Sequence, residues 1–173
     1  EVSSATAVSQ VFLNTNMAAA GGVVATLFMS LFLTGKMDVT MAINGAIAGL
    51  VSITADPLSP TGGTAVLVGA LGGALVYVSI LFLEKKGIDD PVGAISAHGT
   101  VGIYGVLVVS LTGGADFLGQ LTGVAMIAAF TYIASLGVIY AINFVMPIRA
   151  TDEEQDAGLD ISEVGIEAYP EFD

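Results

Sequence analysis

One side chain in this sequence is built to exchange a proton near neutral pH. It is the single histidine, and it stands in the run Asp89-Asp90-Pro91-Val92-Gly93-Ala94-Ile95-Ser96-Ala97-His98-Gly99-Thr100-Val101-Gly102-Ile103-Tyr104-Gly105. Two acids and a proline open a stretch that reads as a helix, with His98 about two turns inside it, roughly 11 Å from its start at the helical rise. An apolar setting favours the neutral ring, which offers one donor and one acceptor nitrogen. Such a ring in a narrow apolar path binds a small polar molecule or relays a proton. The competing role is a structural hydrogen bond to a neighbouring helix, although ionisable groups inside membranes are more often functional.

The other chemistry-bearing residues nearby are Asp89 and Asp90. An aspartate ahead of a helix accepts from the free amides of the first turn, its charge suits the positive end of the helix, and proline fits the first helical position. Capping is therefore favoured over a role toward a substrate. There is no cysteine and one histidine, so no thiolate or multi-histidine metal centre is expected within the chain. With no intramembrane acid to pair with His98, no catalytic triad is expected either. The chain reads as neither an enzyme nor the holder of a cofactor.

The elements that must position His98 can be read from composition. The chain is 54% hydrophobic and 12% charged over 173 residues, with a mean hydropathy of +0.85. That is more apolar surface than a soluble core of this size hides, so the chain belongs in a lipid bilayer. Five apolar segments are expected, at about 13–34, 41–55, 64–83, 91–112 and 119–145, each long enough or nearly so to cross a ~30 Å hydrocarbon core. They make residues 1–150 a transmembrane domain of all-α class, a polytopic membrane helix bundle. The second segment is short and stops at Asp56-Pro57.

If all five segments cross, Lys36, Lys85, Lys86 and Arg149 fall on one side, which the positive-inside rule makes cytoplasmic. The start of the chain is then outside the cell membrane and its end inside. A re-entrant second segment would set Lys36 opposite the other three, so the charge pattern favours a full crossing. Helices gain nothing by leaving lipid for one another, and small residues must let their backbones approach. Gly45 with Gly49, and the stripe Gly99, Gly102 and Gly105 beside His98, are expected to serve that packing.

Nine of the sixteen acidic residues lie between Asp152 and Asp173. This acidic tail, residues 151–173, explains the net charge of −12 and argues against nucleic acid as a partner. By composition it reads as disordered, while Leu159, Ile161 and Tyr169 are the residues that would anchor it on the cytoplasmic face. The chain opens on Glu1 with no basic flank of a signal peptide, as a piece of a longer protein would.

Asp89-Asp90-Pro91, Ala97-His98-Gly99, Gly102 and Gly105 together resemble the tenth transmembrane helix of the ammonium transporter family, which includes the Rh proteins. Asn14-Thr15 and Gly35-Lys36 resemble the ends of its seventh helix. Gly45-Ala46-Ile47-Ala48-Gly49-Leu50-Val51 resembles the eighth, and Gly158-Leu159-Asp160 with Ala168-Tyr169 the cytoplasmic tail. The resemblance implies a pore for ammonium or ammonia between two five-helix repeats of inverted orientation, with this chain as the second half, and a homotrimer. It makes His98 one of two paired pore histidines, with Ala94 lining the pore one turn earlier. Bare ammonium would lose its hydration at great cost in an apolar pore, so deprotonation at the entrance and passage of neutral ammonia is easier.

The resemblance also implies that Gly158, Leu159, Asp160 and Tyr169 belong to a regulatory tail that packs beneath the pore and helps a nitrogen-regulatory signal-transduction protein control it. Where the family commonly has histidine-glycine-glutamate, this chain has Val164-Gly165-Ile166, which puts that coupling in question. The partner histidine and the outer recruiting site are expected in an absent half. A non-transporting truncated or regulatory subunit, associating with full-length relatives, is the alternative.

Overall fold

The computed structural model describes residues 2–170. Among them the regular structure is helical throughout, and four helices are apolar and long enough to cross a membrane. The chain forms two compact units, one up to Ala125 and one from Met126.

The first unit holds α1 (Val2–Thr34), α2 (Val39–Ile53), α3 (Gly62–Lys85), and a π-helical segment Ile95–Thr100 that runs directly into α4 (Val101–Thr112). α1 starts well before the apolar window at residue 13. Its first turns carry Ser, Thr and Gln but neither Gly nor Pro, so nothing ends the helix where the hydropathy falls. α2 begins at an Asp38 cap whose carboxylate accepts from Met41 N–H at 3.0 Å. α3 begins at Thr61, whose hydroxyl accepts from Thr64 N–H at 3.3 Å.

The helices meet through glycine and alanine, where backbone touches backbone. A Cβ at Gly69 would overlap the Ala18 carbonyl and one at Gly73 the backbone of Gly22, so α1 and α3 run parallel in contact. Gly45 faces Gly22 and Thr26 while Gly49 faces Ala18, so α2 runs antiparallel to α1. This pairing brings Lys36 and Lys85 to the same end of the bundle. Buried Ala48, Val76, Ile80, Ala97 and Val101 form one apolar cluster, and Ala18, Ile53, Ala65 and Val68 a second. Both are built of small and β-branched side chains, as expected where close van der Waals packing rather than escape from water holds helices together.

Polar side chains close the connections. Ser30 Oγ donates to the Lys36 carbonyl at 2.7 Å and accepts from Asp38 N–H at 3.1 Å, fastening the turn between α1 and α2. Asn14 is fully buried and its Nδ2 donates to the carbonyls of Pro57 and Pro60, at 2.9 and 2.7 Å. Asn16, the other candidate for a bond across helices, donates within its own helix to the Phe12 carbonyl at 2.8 Å.

α5 (Phe117–Val145) carries the chain into the second unit. The segment beyond it is structured. α6 (Asp152–Ala157) opens on a reciprocal cap, Thr151 Oγ1 accepting from Glu154 N–H and Glu154 Oε2 from Thr151 N–H, at 3.3 and 2.8 Å. A π-helical turn, Asp160–Val164, comes next. Asp160 accepts from Ile161 N–H at 3.0 Å and from Ala168 N–H at 2.7 Å, closing a loop on itself. The composition that reads as disorder is thus countered locally, because several of its acids and hydroxyls occupy cap and turn positions. Residues 171–173 lie outside the described residues.

Candidate functional site

The run that carries His98 does not become helical at Pro91. Residues 91–93 form a turn in which Gly93 adopts φ +71° and donates to the Asp90 carbonyl at 3.0 Å, a left-handed conformation that suits glycine. Proline therefore ends up in the turn ahead of the helix rather than at its first position. Asp90 spans the turn. Its two carboxylate oxygens accept from Ile95 N–H and Ser96 N–H, at 3.0 and 3.1 Å, a reach of five and six residues where an ordinary cap reaches two or three.

Asp89 makes no hydrogen bond among the described residues. It lines an open cavity of about 380 Å3 with Asp38, Asn44, Glu84 and Asp90. Asn44 is 4% exposed, and its Oδ1 has no hydrogen-bond partner among the described residues. Gly93 lies against that oxygen, since a Cβ there would stand 2.5 Å from it.

Because the helix begins beyond the turn, His98 lies about one turn from its start rather than two. It sits inside the π-helical segment, whose wide turn is closed by Val101 N–H donating to the Ser96 carbonyl. Single π turns occur mostly within α-helices and often at functional sites. Ser96 and Ala97 are buried, while His98 is exposed on the other side. Its ring opens onto an apolar groove of about 370 Å3, lined with it by Val51 of α2, by Thr54 and Ala55 in the turn after α2, and by Gly102 and Val106 of α4. The ring has no hydrogen-bond partner among the described residues. Ala94 is also exposed, but it does not line this groove.

The glycine stripe divides in two. Gly105 packs against α2, where a Cβ would fall 2.9 Å from the Val51 carbonyl and 3.0 Å from that of Ser52. Gly99 and Gly102 have nothing closer than 3.9 Å, and Gly102 forms part of the groove wall. A step of three residues falls short of a full helical turn, so the three positions drift around the helix and do not share one face.

Three hydroxyls that no sequence motif marks, those of Ser79, Ser96 and Thr100, meet behind the histidine. Ser79 of α3 donates to Ser96 Oγ at 3.0 Å, and its Oγ stands 3.0 Å from Thr100 Oγ1. The visible signal was the placement of Ser96 and Thr100 two residues either side of His98.

In the second unit Gly158, at φ +94°, separates α6 from the π turn. Leu159 and Tyr169 are exposed. The carboxyl of Asp160 is held below its ordinary value of 3.8, first by the bond from Ala168 N–H and then by that from Ile161 N–H.

A sequence model of the Ammonium Transporter Family matches residues 2–169. The chain is 32% identical to ammonium transporter Amt2 of Archaeoglobus fulgidus, over 95% of its own length and 40% of the relative's. It is 33% identical to an ammonium transporter of Bacillus subtilis, over 91% of its own length and 43% of the relative's. Among solved structures, a sensor Amt protein superimposes with a TM-score of 0.77 at 34% identity, covering 90% of this chain and 42% of that one. Mep2 of Candida albicans superimposes with a TM-score of 0.74 at 25% identity, covering 84% and 37%. The chain thus spans about two fifths of the length of the relatives it matches.

Proposed function

The chain belongs to the Ammonium Transporter Family, and we propose that it supplies the C-terminal half of a pore that carries ammonium or ammonia across the cell membrane. The observation that carries this reading is the setting of His98. An imidazole without a hydrogen-bond partner among the described residues faces an open apolar groove between α2 and α4, where a structural histidine would be bonded to a neighbouring helix. The groove is one wall of the path, and the remainder of the transporter closes it. A neutral ring there accepts a proton at one nitrogen and donates at the other, while the apolar lining favours small neutral ammonia over the hydrated cation.

Ala94, exposed one turn before His98 but outside the groove, would line the path on its cytoplasmic side, and Asp90 holds the inner end of the segment. By the positive-inside rule the end bearing Lys36 and Lys85 is cytoplasmic, the start of the chain is outside, and the tail with Gly158, Leu159, Asp160 and Tyr169 lies where a nitrogen-regulatory partner would meet it. The subunits assemble as a homotrimer, and the transporter serves nitrogen uptake.

The experiment is electrical. The protein of the native reading frame is placed in proteoliposomes and its current measured on adding ammonium chloride or potassium chloride. His98→Ala and His98→Asp are expected to change the current or the discrimination between the two ions. Unchanged current together with unchanged discrimination in both variants would remove His98 from the path.

The likeness to a solved sensor Amt protein supports a second reading, a regulatory membrane subunit that binds ammonium without moving it. Ammonium-dependent protection of the groove in the absence of any current would favour it.

A further inference from the structure

Ser96 and Thr100 are four residues apart and so lie on one face of their helix, and His98, midway between them, points about 200° around from either in helical geometry. Both hydroxyls meet the same atom. Ser79 Oγ donates to Ser96 Oγ at 3.0 Å and stands 3.0 Å from Thr100 Oγ1. The single Ser79 proton is committed to Ser96, so the Thr100 hydroxyl donates to Ser79. Ser96 is fully buried and Ser79 is 9% exposed, so their bond forms away from water, where losing one partner leaves a polar group unsatisfied, while the bond to Thr100 is partly buried. On the same segment, Ser96 N–H is held by Asp90 at 3.1 Å. Among the described residues the histidine ring has no hydrogen-bond partner that would fix its bearing.

The π winding adds a reason for such a clamp. A turn closed five residues back competes with the ordinary turn closed four back. A change between them rotates the rest of the helix by about 100°, one residue's worth at the helical period. Fixing the segment on both sides of residue 98 suppresses that rotation.

We propose that Ser79 is a positioning residue for His98. Through Ser96 and Thr100 it holds the π-helical segment in the register that turns the imidazole to the groove. This rests on the reading of His98 as a group of the permeation path.

The test uses the same proteoliposome currents with Ser79→Ala, Thr100→Val, Thr100→Ser and His98→Ala, each also characterised by thermal melting in detergent. Ser79→Ala and Thr100→Val are expected to lower the maximal ammonium current roughly threefold to tenfold and to displace the midpoint of its pH profile. The half-saturating concentration should stay within about twofold, and Thr100→Ser, which keeps the hydroxyl, should match the parent. In a His98→Ala background the effect of Ser79→Ala should vanish. An effect that persists undiminished there, or parent-like currents in Thr100→Val, would overturn the positioning role while leaving His98 in the path. Parent-like behaviour in His98→Ala as well would sink the pore reading instead. Should Ser79→Ala fail to fold, the Thr100 pair decides alone.

Discussion

Asn14 Nδ2 donates to the carbonyl of Pro60 at 2.7 Å, binding α1 to a loop 46 residues further along the chain. The same amide group also reaches the Pro57 carbonyl at 2.9 Å. One buried side chain therefore satisfies two backbone acceptors of the proline-rich connection between α2 and α3.

Replacing Asn14 with Leu takes the donor from both carbonyls, the bond to Pro60 being buried and that to Pro57 partly buried. A loss of about 1–3 kcal/mol is expected for each unsatisfied group, visible as a lower melting temperature in detergent. Asn16→Leu is the control. Its amide bonds only its own helix at an exposed position, so its melting temperature should stay near the parent's. Equal effects from the two substitutions would refute the assignment of Asn14 as the fastening.

Gly69 and Gly102 should respond oppositely to the same change. A Cβ at Gly69 would overlap the Ala18 carbonyl, and α1 and α3 would have to separate, at about 1–3 kcal/mol or more. A Cβ at Gly102 would meet nothing closer than Val51 Cγ1 at 3.9 Å, and alanine is the better helix former by about 0.5–1 kcal/mol. Gly69→Ala is therefore expected to lower the melting temperature and Gly102→Ala to hold or raise it. Because Gly102 lines the groove with His98, Gly102→Ala should at the same time reduce the ammonium current, which separates stability from permeation at one position.

The tail should answer to acid. The carboxyl of Asp160 is held below 3.8 by bonds from Ala168 and Ile161 N–H, so its folded form is the ionised one. Its contribution to order is complete above the ordinary carboxylate value and is lost as the pH falls through the lowered value. Amide protection at Ala168, corrected for intrinsic exchange, should be constant from neutral pH down to about 4 and decline below that. Asp160→Asn should weaken protection at neutral pH and flatten the dependence. Protection at Ala168 that is no weaker in Asp160→Asn than in the parent at neutral pH would contradict the role given to this carboxylate.

The membrane bundle and the family were legible in the sequence, because long apolar runs and a spaced histidine motif are each carried by residues close together in the chain. What escaped was carried by pairs far apart. Nothing local to Ser79 points to Ser96, 17 residues on, and nothing local to Asn14 points to Pro60. The fourth helix starts later than its sequence predicts, for a different reason. Proline after two acids is a fair signal for a helix start, but Gly93 at φ +71° delays the helix, and Asp90 caps across the delay. The regular spacing of the glycine stripe predicts one packing surface, yet a three-residue step drifts around a helix, and of the three only Gly105 reaches a neighbouring backbone.

The π-helical segment at Ile95–Thr100 also bears on how this sequence tolerates changes in length. A wide turn holds one residue more than the regular helix needs. Removing a single codon between Ile95 and Thr100 would therefore yield a shorter and more regular helix, with the groove wall beyond it still intact. Such a product could insert and fold while the residue facing the groove at this depth was no longer the histidine. Alignments that absorb a one-residue gap here as harmless would pair chains whose chemistry at this point differs.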